Sequence, residues 1–98
     1  MSLQAKILNL ISGIDDPGLR IEVSRTIYYL YNVYVSGNAP EESIRNDLIE
    51  ICTLIVSEKE PTLSPDEIKK KAEKLANEIL NAFKLESMTR RTITKYGF

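Results

Sequence analysis

The chain is predicted to be all-α, a small four-helix bundle with a basic C-terminal tail. Apolar residues recur every three or four positions in four separate stretches. Three of those stretches open on a capping or proline-bearing start. Only short polar segments join them, which is the spacing antiparallel neighbours need. At 98 residues, 43% hydrophobic and 28% charged, the composition is that of one ordinary globular domain rather than a disordered chain.

The first helix is expected over Ser2 to Ser12, with Leu3, Ile7, Leu10 and Ile14 on one side and Gly13 as a left-handed cap. Asp15-Asp16-Pro17 opens the second, because a carboxylate accepts from free backbone N–H groups and proline suits the first helical position. No breaker follows from Leu19 to Ser36, and Gly37 closes the segment. Leu19, Val23, Ile27, Leu30 and Tyr34 share one stripe, with Ile21, Tyr28, Tyr31 and Val35 as a second patch beside it. The β-branched and aromatic run Thr26 to Val35 also suits a strand, but eighteen residues without a turn residue favour a helix.

The third helix is expected from Asn38-Ala39-Pro40-Glu41-Glu42, with Asn38 as cap and two acids at the positive end of the dipole. Ile44, Leu48, Ile51 and Ile55 form its buried stripe, with Cys52 at the border. Ser64-Pro65-Asp66-Glu67 is a capping box that starts the fourth, in which Ser64 and Glu67 satisfy each other's end donors. Ile68, Ala72, Leu75, Ile79 and Phe83 make a narrow stripe, and the helix is expected to end near Ser87. Met88 to Phe98, with Thr89, Thr92 and Thr94, reads as a loosely ordered tail. The organisation is therefore a bundle over 1–87 and a tail over 88–98.

Charge is unevenly placed. Residues 41–67 hold eight acids against Arg45 and Lys59, a net of −6, whereas residues 68–98 hold eight bases against three acids, a net of +5. The whole chain is nearly neutral at −1, which argues against coating nucleic acid by bulk electrostatics. Lys69, Lys70, Lys71 and Lys74 are diluted by acids at helical spacing, in the pairs Glu67–Lys71, Lys69–Glu73 and Lys74–Glu78. Ser87 to Phe98 carries Arg90, Arg91 and Lys95 and no acid at all. With Lys84 they could meet three or four phosphates, too few for tight independent binding of DNA.

Absent residue types narrow the chemistry. With no histidine and one cysteine, the chain has no Ser-His-Asp or Cys-His nucleophile, no Cys/His zinc site and no intramolecular disulfide. Its isolated glycines make no phosphate-cradling loop. Carboxylates remain, and Asp47-x-x-Glu50 is the single pair one turn apart in the acid patterns that hold Mg²⁺ on helices, read here as a solvated face. No catalytic residue, metal ligand or cofactor is expected. Cys52 reads as a small buried hydrophobe.

The tyrosines at 28, 29, 31 and 34 lack a cationic groove for base stacking, so core or interface packing is the better use. The second patch on helix 2 exceeds what one bundle face needs, which points to another subunit. The sequence thus reads as a non-catalytic interaction module, an accessory subunit of a larger complex (a nucleic-acid-processing one such as a polymerase assembly) or a self-associating adaptor. Its partner is another protein or itself, through Tyr28, Tyr31 and Val35, with Arg90, Arg91, Lys95, Tyr96 and Phe98 as a tail contact. Weak nucleic-acid binding through helix 4 and the tail is the alternative, and a Mg²⁺-dependent enzyme on nucleotides stands third. The longest apolar stretch, Ile27 to Val35, is nine residues, far short of the roughly 20 that span a bilayer, and Met1 to Ile14 does not resemble a signal peptide. No membrane contact and a cytoplasmic setting are expected.

Overall fold

The computed structural model describes the backbone of residues 2–97 and the side chains of residues 2–89. Four helices follow in order: α1 (Leu3–Ile11), α2 (Pro17–Ser36), α3 (Glu41–Lys59) and α4 (Pro65–Gly97). The described residues contain no strand, so the β-prone run Thr26 to Val35 is helical. Local propensity yields there because both ends are capped and the 3.6-residue stripe has a core to enter.

Each start has its own physical cause. Ser2 Oγ accepts from the Ala5 N–H at 3.1 Å and so caps α1. Asp16 Oδ1 accepts from the Gly18 N–H at 2.9 Å, with Pro17 at the first helical position of α2. At α4 the Ser64 N–H donates to Glu67 Oε1 at 3.1 Å while the Glu67 N–H donates to Ser64 Oγ at 3.3 Å. Gly37 ends α2 at φ 72°, a left-handed value that favours glycine.

Three local expectations are corrected. Gly13 is not left-handed, since Gly37 alone has positive φ among the described residues. Ser12 ends α1 in right-handed geometry, and a Cβ on Gly13 would lie 3.0 Å from Cε of Lys59, whose chain crosses it. Asn38 does not cap α3, where Pro40 occupies the N-cap without a side-chain bond and Glu41 and Glu42 offset the dipole instead. Finally, α4 does not stop near Ser87 but continues as helix to Gly97. Threonine is a weak helix former rather than a breaker, and no glycine or proline interrupts Met88 to Tyr96.

Polar contacts fix the helix directions. The Leu3 N–H meets Glu86 Oε1 at 3.2 Å and Lys6 meets Glu78 at 2.9 Å, so α1 runs antiparallel to α4. Glu41–Lys84 at 3.5 Å, Arg45 Nε–Asn77 Oδ1 at 2.9 Å and Glu60–Lys71 at 2.6 Å set α3 antiparallel to α4 as well. Arg20 Nη1 donates to the Ile14 carbonyl at 2.7 Å and closes the α1–α2 turn. Among the described residues the close ion pairs join α4 to α1, α3 and the α3 C-cap, and of the three pairs within α4 that spacing suggested, Lys71 still attracts Glu67 at longer range.

All four helices feed one core. Leu3, Ile7 and Leu10 come from α1, Val23, Ile27, Leu30 and Tyr31 from α2, Ile44, Leu48, Ile51, Cys52 and Ile55 from α3, and Ala72, Ala76, Ile79, Leu80 and Phe83 from α4. Cys52 is fully buried rather than at the border. Phe83 meets Tyr31 edge-on at 5.3 Å between centroids and Tyr34 at 5.8 Å. The thirty-three residues of α4, about 50 Å at 1.5 Å each, match the 50 Å long dimension of the molecule. Ser87 is the last buried residue of α4 among the described side chains, close to the level of Leu3 and Glu41.

Candidate protein-contact surface

On α2 the core face is supplied by Val23, Ile27, Leu30 and Tyr31, and the flank about 115° round from its centre is left open. Ile21, Tyr28 and Val35 lie there with 54%, 40% and 47% of their surface exposed. They stand seven residues apart, so each step turns only about 20° from the last and the three form one straight row. Ser24 and Asn32 lie between its members, and Arg25 flanks it between Ile21 and Tyr28. Tyr29, 65% exposed, projects about 100° round the helix from Tyr28.

Tyr31 departs from the sequence reading. It sits about 60° from Tyr28 on the helix, and that turn carries it into the core at 1% exposure, against Phe83. The exposed row is therefore Ile21, Tyr28 and Val35. Ile21 belonged to the same apolar patch in the sequence, and the seven-residue spacing was the signal that singles it out.

Beside the row, Ile11, Pro17, Arg20, Ile21, Ser24 and Arg25 line an open groove of about 400 Å³ where α1 ends and α2 begins. Arg20 is held by the Ile14 carbonyl, so its aliphatic stem forms a fixed wall. The floor is apolar and no acid lines it.

Elsewhere the chemistry is sparse. Asp47 and Glu50 line a shallow groove with Thr26, Tyr29, Leu30 and Ile51, and no group of three or more metal-binding side chains occurs among the described residues. The Cys52 thiol is pushed up to about 12 by burial first and the nearby Glu78 charge second, with Lys6 opposing. It is a packed thiol held protonated, the opposite of an activated nucleophile. Lys59 is pulled below the usual lysine range by partial burial beside Leu10, Ile55 and Val56.

For the basic end, the backbone of Arg90, Arg91, Lys95 and Tyr96 belongs to α4, while their side chains and Phe98 lie outside the described residues. Leu85 and Met88, just before them, are largely exposed, which the sequence reading passed over. No helix of the described residues is long and apolar enough to cross a membrane. No family model, curated protein or solved structure matches the chain.

Proposed function

We propose that this chain is a small non-catalytic interaction module, an accessory subunit or self-associating adaptor that offers the Ile21–Tyr28–Val35 row of α2 to another protein. One observation carries the reading: an uncharged apolar row stays open to water although the four helices already close a core without it. The largest apolar patch of a small protein, rimmed by polar residues, is often a contact site. The absence of histidine and the protonated, buried Cys52 favour adhesion over catalysis. A cytoplasmic setting goes with a chain that has one buried cysteine and no disulfide.

The test places a photo-crosslinking residue at Tyr28, with a control at Asn81 on α4, in extract of the native cells. A defined adduct at position 28, to this chain or to another, is expected, and it should vanish when Ile21 and Val35 are both changed to Lys. Adducts no stronger at 28 than at 81 would end the proposal.

The continuous α4 favours a second reading. Arg90, Arg91 and Lys95 sit on a helix that runs to Gly97 with no acid after Glu86, a form suited to lie beside nucleic acid held by a larger assembly. A salt-dependent mobility shift lost on truncation after Ser87 supports it, and no shift at low salt removes it.

A further inference from the structure

We infer that the occupant of the α2 row is a second copy of this chain, packed antiparallel about a two-fold axis through Tyr28. The inference rests on the reading of α2 as a contact face and names its partner.

A two-fold interface must be complementary to itself, so that residue i meets j and j meets i. The α2 row satisfies that condition about Tyr28. Ile21 lies seven residues before it and Val35 seven after, both β-branched aliphatics, so each meets the other across the axis. Arg25 and Asn32 lie three before and four after on the same flank of the row, which brings a guanidinium donor to a side-chain amide oxygen across the axis. A repeat of seven is also the spacing at which two helices keep one seam in register.

Charge decides the direction. The charged residues of α2, Arg20, Glu22 and Arg25, all fall in its first half, and from Thr26 to Ser36 there is none. Antiparallel packing sets each charged half against the partner's uncharged half. Parallel packing would set Arg25 level with Arg25. The groove lined by Ile11, Pro17, Ile21 and Ser24 then lies where the other copy's Val35 end arrives.

Size sets the strength. A face about 30 Å long and about 10 Å wide covers about 300 Å² per copy, well under the ~800 Å² of a standard interface. Such a pair assembles at high protein concentration and comes apart on dilution.

Sedimentation or light scattering of the full chain is expected to give 11.1 kDa at about 10 µM, rising toward twice that near 1 mM. Tyr28→Lys, which puts two like charges on the axis, should push the rise at least about tenfold higher in concentration, while Tyr29→Lys leaves it in place. In a Cys52→Ala background, mixed Ile21→Cys and Val35→Cys chains under mild oxidation should form the 21–35 disulfide several-fold more than 21–21 or 35–35. A mass of 11.1 kDa throughout, or a 21–21 preference, overturns the inference. If Tyr28 crosslinks a different protein while the chain alone stays monomeric, the two-fold pair falls and the contact-face reading stands. Helical circular dichroism of each variant separates lost association from lost folding.

Discussion

Replacing Phe83 by Ala is the severest test of the packing that leaves the α2 row outside. Phe83 is fully buried and touches the rings of Tyr31 and Tyr34 on α2. Truncating a buried phenylalanine costs about 3–5 kcal/mol, from lost transfer energy and the cavity left behind. The edge-on pair with Tyr31 and the tilted one with Tyr34 each add roughly 0.5–1.5 kcal/mol in favourable cases. Because they overlap with the cavity cost, the expected loss is about 4–5 kcal/mol. Domains of this size have a total stability of about 5–15 kcal/mol, so the variant should be barely folded or roughly 16–40 °C less heat-stable. Urea unfolding followed by far-UV circular dichroism measures it, with Phe83→Leu as the milder partner at under about 1.5 kcal/mol. A loss below about 1.5 kcal/mol for the alanine variant, with unchanged denaturant slope, would mean that α4 is not seated on α2 and that Tyr31 is free to turn outward.

Other outcomes follow from single sites. The Cys52 thiol should resist aqueous disulfide reagents at pH 8 until the chain unfolds, and stability should fall above its ordinary thiol value. Its folded form keeps the proton to about pH 12 while the unfolded chain loses it earlier, so each pH unit in that window costs about 1.4 kcal/mol, a slope that Cys52→Ala removes. Ser64→Ala should cost about 1 kcal/mol by urea unfolding. The Ser64 backbone N–H holds the Glu67 carboxyl below its usual range, so the stability from that bond is present above the ordinary carboxylate value and is lost as pH falls through the folded one. Gly37→Ala should cost about 1–2 kcal/mol from backbone strain alone, because open space surrounds it and its φ is 72°.

Local signals were legible and contacts at a distance were not. The Ser64–Glu67 box, Asp16-Pro17 and Gly37 each involve groups within four residues, and each occurs as the residues alone imply. The stripe of α3 was equally plain, because Ile44, Leu48, Ile51 and Ile55 all point one way. Tyr31 was less so. Its place on the helix borders both the core stripe and the outer patch, and the choice is made by Phe83, fifty-two residues away. Lysine pairing was legible only for Glu67 and Lys71, for a related reason. Lys71 reaches Glu60 and Glu78 is taken by Lys6, since long side chains on a bundle find carboxylates on neighbouring helices as readily as on their own. The end of α4 is not legible in Thr89, Thr92 and Thr94, because their propensity cost is roughly a few tenths of a kcal/mol each and no glycine or proline breaks the backbone before Gly97.

The decisive measurement compares stability and contact in one variant, Ile21→Lys with Val35→Lys. Both sites are exposed, so the urea midpoint should move by no more than about 1 kcal/mol in total, while the adduct formed by a photo-crosslinker at Tyr28 should disappear. A variant that unfolds, or one that keeps the full Tyr28 adduct, would contradict the assignment of this row to partner contact.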